Sequence, residues 1–306
     1  MEQKEYLKDS VSKVIGVIGG VSWASSDTYY RRMNEIMRDR FGSLYSANFL
    51  MYSIPFHSFA EQERQAAKGD WTMMTAMMVD AAERLKAGGA DFIVIASNTL
   101  NSLAGVIEEQ VGIHVLNIID AVGSEIYKKG LHKVILLGTK HTMEDGFYKN
   151  KLEEKYGLEV LIPTLEERDY INNVIFDELC NDIIVNHSRE GYKRIINRLV
   201  GEGGEGVILG CTEIPLLITQ KELGIPTFDS AEIHSVAAID YATEGANSIR
   251  NLYSSLFTHH PHTLLTEEAA TQQRLPPTRD GSLCHIPCPF TPVANVKRIT
   301  FLGVGW

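Results

Sequence analysis

Short apolar runs alternate with amphipathic stretches along most of the chain. VIGVIGG (14–20) is a β-rich run that ends in glycines, and a helical spacing of apolar positions follows from about Ser25 to Arg40. ANFLMYSIPF (47–56) predicts the next strand, with a helix from about Asp70 to Ala87. DFIVIAS (91–97) predicts a third strand, then a helix from about Leu100 to Gln110 and the run HVLNI (114–118). Runs this apolar, separated by helices of this length, predict a parallel sheet covered on both faces.

The second half repeats the scheme. KVILLGT (133–139) parallels the opening strand, with Gly138 in the place of Gly19. LEVLIP (158–163) follows a helix and precedes a long one from about Glu166 to Asn181. A further helix leads into NRLVGEGGEGVILGCTEI (197–214), which aligns with ERLKAGGADFIVIASNTL (83–100) at an offset of 114. Arg84 meets Arg198, Gly89 meets Gly203, Ile95 meets Leu209 and Ser97 meets Cys211. The need to stop a helix before a buried strand explains the glycines and aliphatics. It does not explain why both strands end in small polar residues at one register, so the pattern reads as an internal duplication. The expected architecture is α/β. Two pseudo-symmetric domains, each a parallel sheet flanked by helices, place matching strand tips across a cleft. Residues 1–117 with about 227–255 form the first domain and 118–226 the second. Residues 256–306 hold six of the ten prolines, continue no βα pattern, and read as an appended, poorly ordered or surface-draped tail.

Composition narrows the classes. A chain of 306 residues can fill one large or two modest cores. A net charge of −10 argues against nucleic acid as the main partner. No run approaches the roughly 18–20 apolar residues of a membrane span, and MEQKEYLKDS at the start has no apolar core for a secretory signal. The four cysteines, Cys180, Cys211, Cys284 and Cys288, are too few for a disulfide framework, so a reducing cytoplasmic setting is expected.

Ligands of open α/β sheets bind beyond the carboxyl ends of the strands, which brings GGVSWASS (19–26), SNT (97–99) and CTE (211–213) into play. A strand tip entering a helix offers free N–H groups and the positive end of a dipole, which suits a carboxylate and lowers a thiol's pKa. Cys211 is therefore the leading candidate. Glu213 either takes part in binding or complements the helix dipole. Gly19 and Gly20 permit a sharp turn that points Ser22 at a small ligand, while Ser25 or Ser26 caps the next helix. GVIGGVS (16–22) is neither G-x-G-x-x-G nor a P-loop, which rejects a nucleotide reading. In the tail, CHIPC (284–288) and HHPH (259–262) lack a second matched ligand pair, so no metal is expected.

Together IGVIGGVSWASSDTYYRRMNE (15–35), SNT (97–99) and VILGCTEIPLLI (207–218) resemble the aspartate/glutamate racemase superfamily, most closely its aspartate racemase branch. LLGTKHTMEDGFYKNKL (136–152) and DELCNDII (177–184) are also similar to family text. The resemblance implies a cofactor-free isomerase, homodimeric, with its active site between two α/β domains and a small amino acid or dicarboxylate as substrate. One thiolate removes the α-proton, and a thiol on the opposite face returns one to the planar carbanion. Helix-start N–H groups with Asn98, Thr99 and Thr212 hold the carboxylate. The sequence departs from this pattern at the first cysteine, where Ser97 stands, and at the usual histidine, where Asn101 stands. Serine is a poor base at neutral pH. The distal carboxylate lacks an obvious clamp: Ser53, polar but uncharged at the end of the second strand, is a candidate binding residue, and Arg168 and Lys140 are the available cations. Three readings stay open: a racemase with Cys211 facing Ser97, a single-cysteine lyase or isomerase, and a catalytically silent dicarboxylate-binding protein.

Overall fold

β1 (Ile15–Gly19) is buried at every position and forms the inner part of a four-stranded sheet. It lies between β2 (Phe49–Ser53) and β3 (Phe92–Ile95), and β4 (Val115–Leu116) completes the order β2-β1-β3-β4. A second sheet has the equivalent order β6-β5-β7-β8, from Glu159–Leu161, Lys133–Gly138, Gly206–Gly210 and Thr227–Asp229. All pairings are parallel. The computed structural model describes residues 13–66 and 68–244. The first ten residues and the tail 256–306, with Cys284, Cys288 and the histidines of HHPH, lie outside the described residues, as does the end of the 227–255 segment.

Parallel strands need cover on both faces, and each sheet has it. One face of the first sheet packs Ile18, Ile93 and Ile95 against Met74, Met78 and Ile107 from flanking helices. The other packs Val17, Phe92 and Val94 against Tyr29 and Met33 from helix Trp23–Phe41, and against Ala238 and Ile239 from helix Ser230–Ala242. In the second sheet, Val134, Leu136 and Ile208 meet Val122 and Ile126 of helix Ile118–Lys128. Their opposite face meets Tyr192, Ile196 and Leu199 of helix Asn186–Gly201. β8 pairs with β7, so Thr227–Asp229 sit with the second sheet, and the return to the first begins at Ser230. Among the described residues no helix is long and apolar enough to cross a membrane.

His234 ties the returning helix to the first sheet. Its Nε2–H donates to the Leu116 carbonyl (2.7 Å), so Nδ1 accepts from the Tyr29 hydroxyl (2.8 Å). Full burial lowers its pKa from 6.5 to about 4, against the opposing Leu116 bond. The unfolded chain therefore binds a proton that the folded one refuses between these values. The stability this arrangement contributes is complete above pH 6.5 and is lost as the pH falls toward 4. At 1.36 kcal/mol per unit the loss is about 3 kcal/mol. Urea titrations from pH 7 to pH 4 should show it, and His234→Gln should flatten the slope.

Candidate active site

The first strand tip turns through Gly20, whose φ is +84°. A Cβ there would lie 2.1 Å from the Ile54 carbonyl oxygen, so only glycine fits. Ser22 follows, also left-handed (φ 72°), and caps helix Trp23–Phe41 by accepting from the Ser25 N–H at 3.0 Å. This corrects the expectation that Ser25 or Ser26 caps the helix. Ser25 Oγ instead donates to the Ala96 carbonyl (2.7 Å), and Ser26 Oγ accepts from the Gly20 N–H (2.8 Å), which locks the turn.

Ser22 Oγ donates in turn to Glu213 Oε1 at 2.7 Å, linking the tip of β1 to the tip of β7. Glu213 is buried and collects two further donors on Oε2: Cys211 Sγ at 3.0 Å and Thr212 Oγ1 at 2.7 Å. The hydroxyls of Ser22 and Thr212 are thus committed to Glu213. Cys211 is buried against the second core, and burial, followed by the Glu213 carboxylate, pushes its thiol well above the usual range. The sequence-based expectation of a lowered pKa is reversed here. The helix after Cys211 is a four-residue turn, Ile214–Leu217, and its field is outweighed by desolvation and a carboxylate. Cys211 rests as a thiol donating to its neighbour.

Ser97 lies at the matching tip of β3 and lines the same cavity as Cys211. Its Oγ accepts from the Leu100 N–H at 3.4 Å. Asn101 holds this tip: Nδ2 donates to the carbonyls of Ser97 (2.6 Å) and Ile95 (3.2 Å), and Oδ1 accepts from the Ile118 N–H (3.0 Å). Asn98 is 4 % exposed. Its Nδ2 donates to Ser230 Oγ (2.9 Å), while Oδ1 has no partner among the described residues. The residue lines the cavity, and a buried acceptor left unsatisfied calls for a donor that a small ligand could bring. Thr99 Oγ1 is within hydrogen-bond distance of Thr139 Oγ1 (3.0 Å) and Thr142 Oγ1 (3.3 Å), and Thr139 also reaches the cavity.

The cavity is tight, with about 60 Å³ of room for water-sized groups, and it opens to solvent. It brings together Ser22, Ser97, Asn98, Thr99, Cys211, Thr212 and Glu213. Ser53 is not among its lining residues; it lines an adjoining recess with Pro55 and Phe56. Arg168 and Lys140 do not line the cavity either. Arg168 donates to Glu144 Oε1 (2.7 Å) and to the Pro163 carbonyl (2.6 Å), and Lys140 pairs with Asp169. Several lining residues were not singled out from the sequence. Phe56, Phe59 and Glu63 come from helix Phe56–Ala66; the hydrophobic pattern ends a strand at Phe56 and predicts no element over the rest. Their spacing of three and four residues was the available signal. Cys180 also lines the cavity, and burial with Glu213 and Glu63 pushes its thiol up to about 12.

Two parallel α/β sheets whose paired strand tips meet at one small polar cavity define an enzyme-type site acting on a small molecule. The comparisons with known proteins place it further. Residues 18–238 match the family Asp/Glu/Hydantoin racemase, and the chain belongs to that family. It is 43 % identical to a solved Yersinia pestis protein assigned as an Asp/Glu racemase, covering 75 % of this chain and 99 % of that one, with a TM-score of 0.70. An aspartate racemase homologue from Pyrococcus horikoshii is 40 % identical over 76 % of this chain and 99 % of its own, with a TM-score of 0.66. The glutamate racemase of Aquifex pyrophilus is 29 % identical over 187 residues, which cover 57 % of this chain and 68 % of that relative.

Proposed function

We propose that the chain is a cofactor-independent amino-acid racemase of the aspartate/glutamate type, with Cys211 as its principal acid/base and Ser97 facing it. The observation that carries this reading is the shared cavity of the two equivalent tips, with Cys211 Sγ hydrogen-bonded to Glu213 Oε2 at 3.0 Å. Family membership supports the reaction class.

The substrate ammonium donates to Asn98 Oδ1, and its carboxylate is held by the hydroxyls of Thr99 and Thr139 with the N–H groups of the adjoining helix starts, while Thr212 stays on Glu213. The ammonium brings positive charge into a site that already holds Glu213. The Cys211 proton then passes to Glu213 Oε2, and the thiolate takes the α-proton from one face. The planar carbanion is reprotonated on that face by Cys211, which gives exchange, or on the other by the Ser97 hydroxyl, which gives inversion. Glu213 acts through Cys211 and is a positioning and proton-relay residue. The asymmetry of the two acids makes return to the Cys211 face the faster route. A homodimer in a reducing cytoplasm belongs to the same reading, since dimers are the commonest symmetric assembly and the mechanism needs Cys211 as a free thiol.

The test is to incubate each enantiomer of a panel of amino acids in heavy water, following α-deuteration by NMR and inversion by chiral chromatography. Exchange at least tenfold faster than inversion is the expected result. Absence of exchange with every amino acid, alongside ligand-induced thermal stabilisation, would identify a binding protein instead.

A further inference from the structure

The cavity's other wall bears on substrate choice. Helix Phe56–Ala66 turns Phe56, Phe59 and Glu63 toward it, and Phe176 joins them from the π-helical turn Val174–Glu178. Among the described residues, two carboxylates and no Lys, Arg or His line this cavity. The carboxylates differ in state. Glu213 is satisfied by Ser22, Cys211 and Thr212. Glu63 is half-buried, with no hydrogen bond or ion pair to any described residue. Burial raises its pKa, and the nearby His141 offsets this only in part. Both carboxylates act on the Cys180 thiol, so they share one electrostatic neighbourhood.

A dicarboxylic substrate would bring its distal carboxylate into this neighbourhood, beside like charge. A cationic side chain would supply the ion-pair partner that Glu63 lacks among the described residues, and its methylene stem would lie against the phenylalanines. We propose that Glu63 selects an amino acid with a long cationic side chain, of the lysine or ornithine class, over aspartate or glutamate. This rests on the racemase reading for the chemistry at Cα; the selection itself rests on Glu63 and the aromatic wall.

The experiment measures kcat/KM for α-deuteration of lysine, ornithine, leucine, aspartate and glutamate, both enantiomers, in the native protein, Glu63→Gln and Glu63→Arg. Thermal stabilisation by each amino acid is recorded alongside. Expected results are a native preference for lysine over aspartate of at least tenfold, and a lysine-to-leucine preference that falls at least tenfold in Glu63→Gln through KM. Glu63→Arg should reverse the order of lysine and aspartate. Faster exchange of aspartate or glutamate than of lysine, or an unchanged preference in Glu63→Gln, overturns the selection and leaves the racemase reading standing. If nothing exchanges, the racemase reading fails. Stabilisation by lysine that disappears in Glu63→Gln then still supports the selection, and its absence overturns that too.

Discussion

Cys211→Ala is expected to lower α-proton exchange by about 10³- to 10⁴-fold, the scale of losing a positioned acid/base. The fold should survive the change. Ser22 and Thr212 still donate to Glu213, and the sheet that carries β7 is unaltered. The stability cost should therefore be about 1 kcal/mol, as for an ordinary small core truncation. Cys211→Ser separates position from acidity. Its hydroxyl can keep the bond to Glu213, yet it should lose nearly as much activity as alanine, because a serine hydroxyl is a far weaker acid than a thiol. Glu213→Gln should also cut exchange strongly, since burial holds the resting thiol protonated and its proton needs Glu213 as acceptor. NMR in heavy water reads all three. A loss below tenfold in Cys211→Ala would remove this residue from the chemistry.

The architecture was legible because its signal is local. β1, β3 and β7 are buried at every position, and such runs are continuously apolar in the sequence. The matched tips were legible for the same reason: Ile95 and Leu209 lie in equivalent strands, and Ser97 and Cys211 follow them. What the sequence concealed depends on distant partners. Glu213 read as a substrate-binding residue or a helix-start acid, but its link to Ser22, 191 residues away, was not visible. The direction of the Cys211 shift followed from burial that no local pattern reports. Helix Phe56–Ala66 escaped because it buries only Phe59 and Ala66, too few apolar positions to mark a face, although this helix carries Glu63. Asn101, read only as a departure from the family, turns out to clamp the Ser97 tip through three hydrogen bonds.

That clamp makes Ser97 the sharpest test of two-way racemisation. Asn101 bonds the backbone carbonyls at the tip and the Ile118 N–H rather than the Ser97 side chain, so a change at Ser97 should stay local. Ser97→Cys should raise inversion by at least about 10²-fold, because a thiol facing Cys211 restores an acid able to work in both directions. Ser97→Ala should cut inversion by about as much, while exchange at the Cys211 face continues. Inversion and exchange must therefore be followed separately, by chiral chromatography and NMR, in the same incubation. The two substitutions constrain each other. If Ser97→Cys accelerates inversion but Ser97→Ala does not reduce it, the native hydroxyl is idle and solvent supplies the second proton. If neither changes inversion, the opposing group is not at this tip. Cys180, the other thiol in the cavity wall, then becomes the residue to replace, although its pKa near 12 makes it a donor to the carbanion rather than a base.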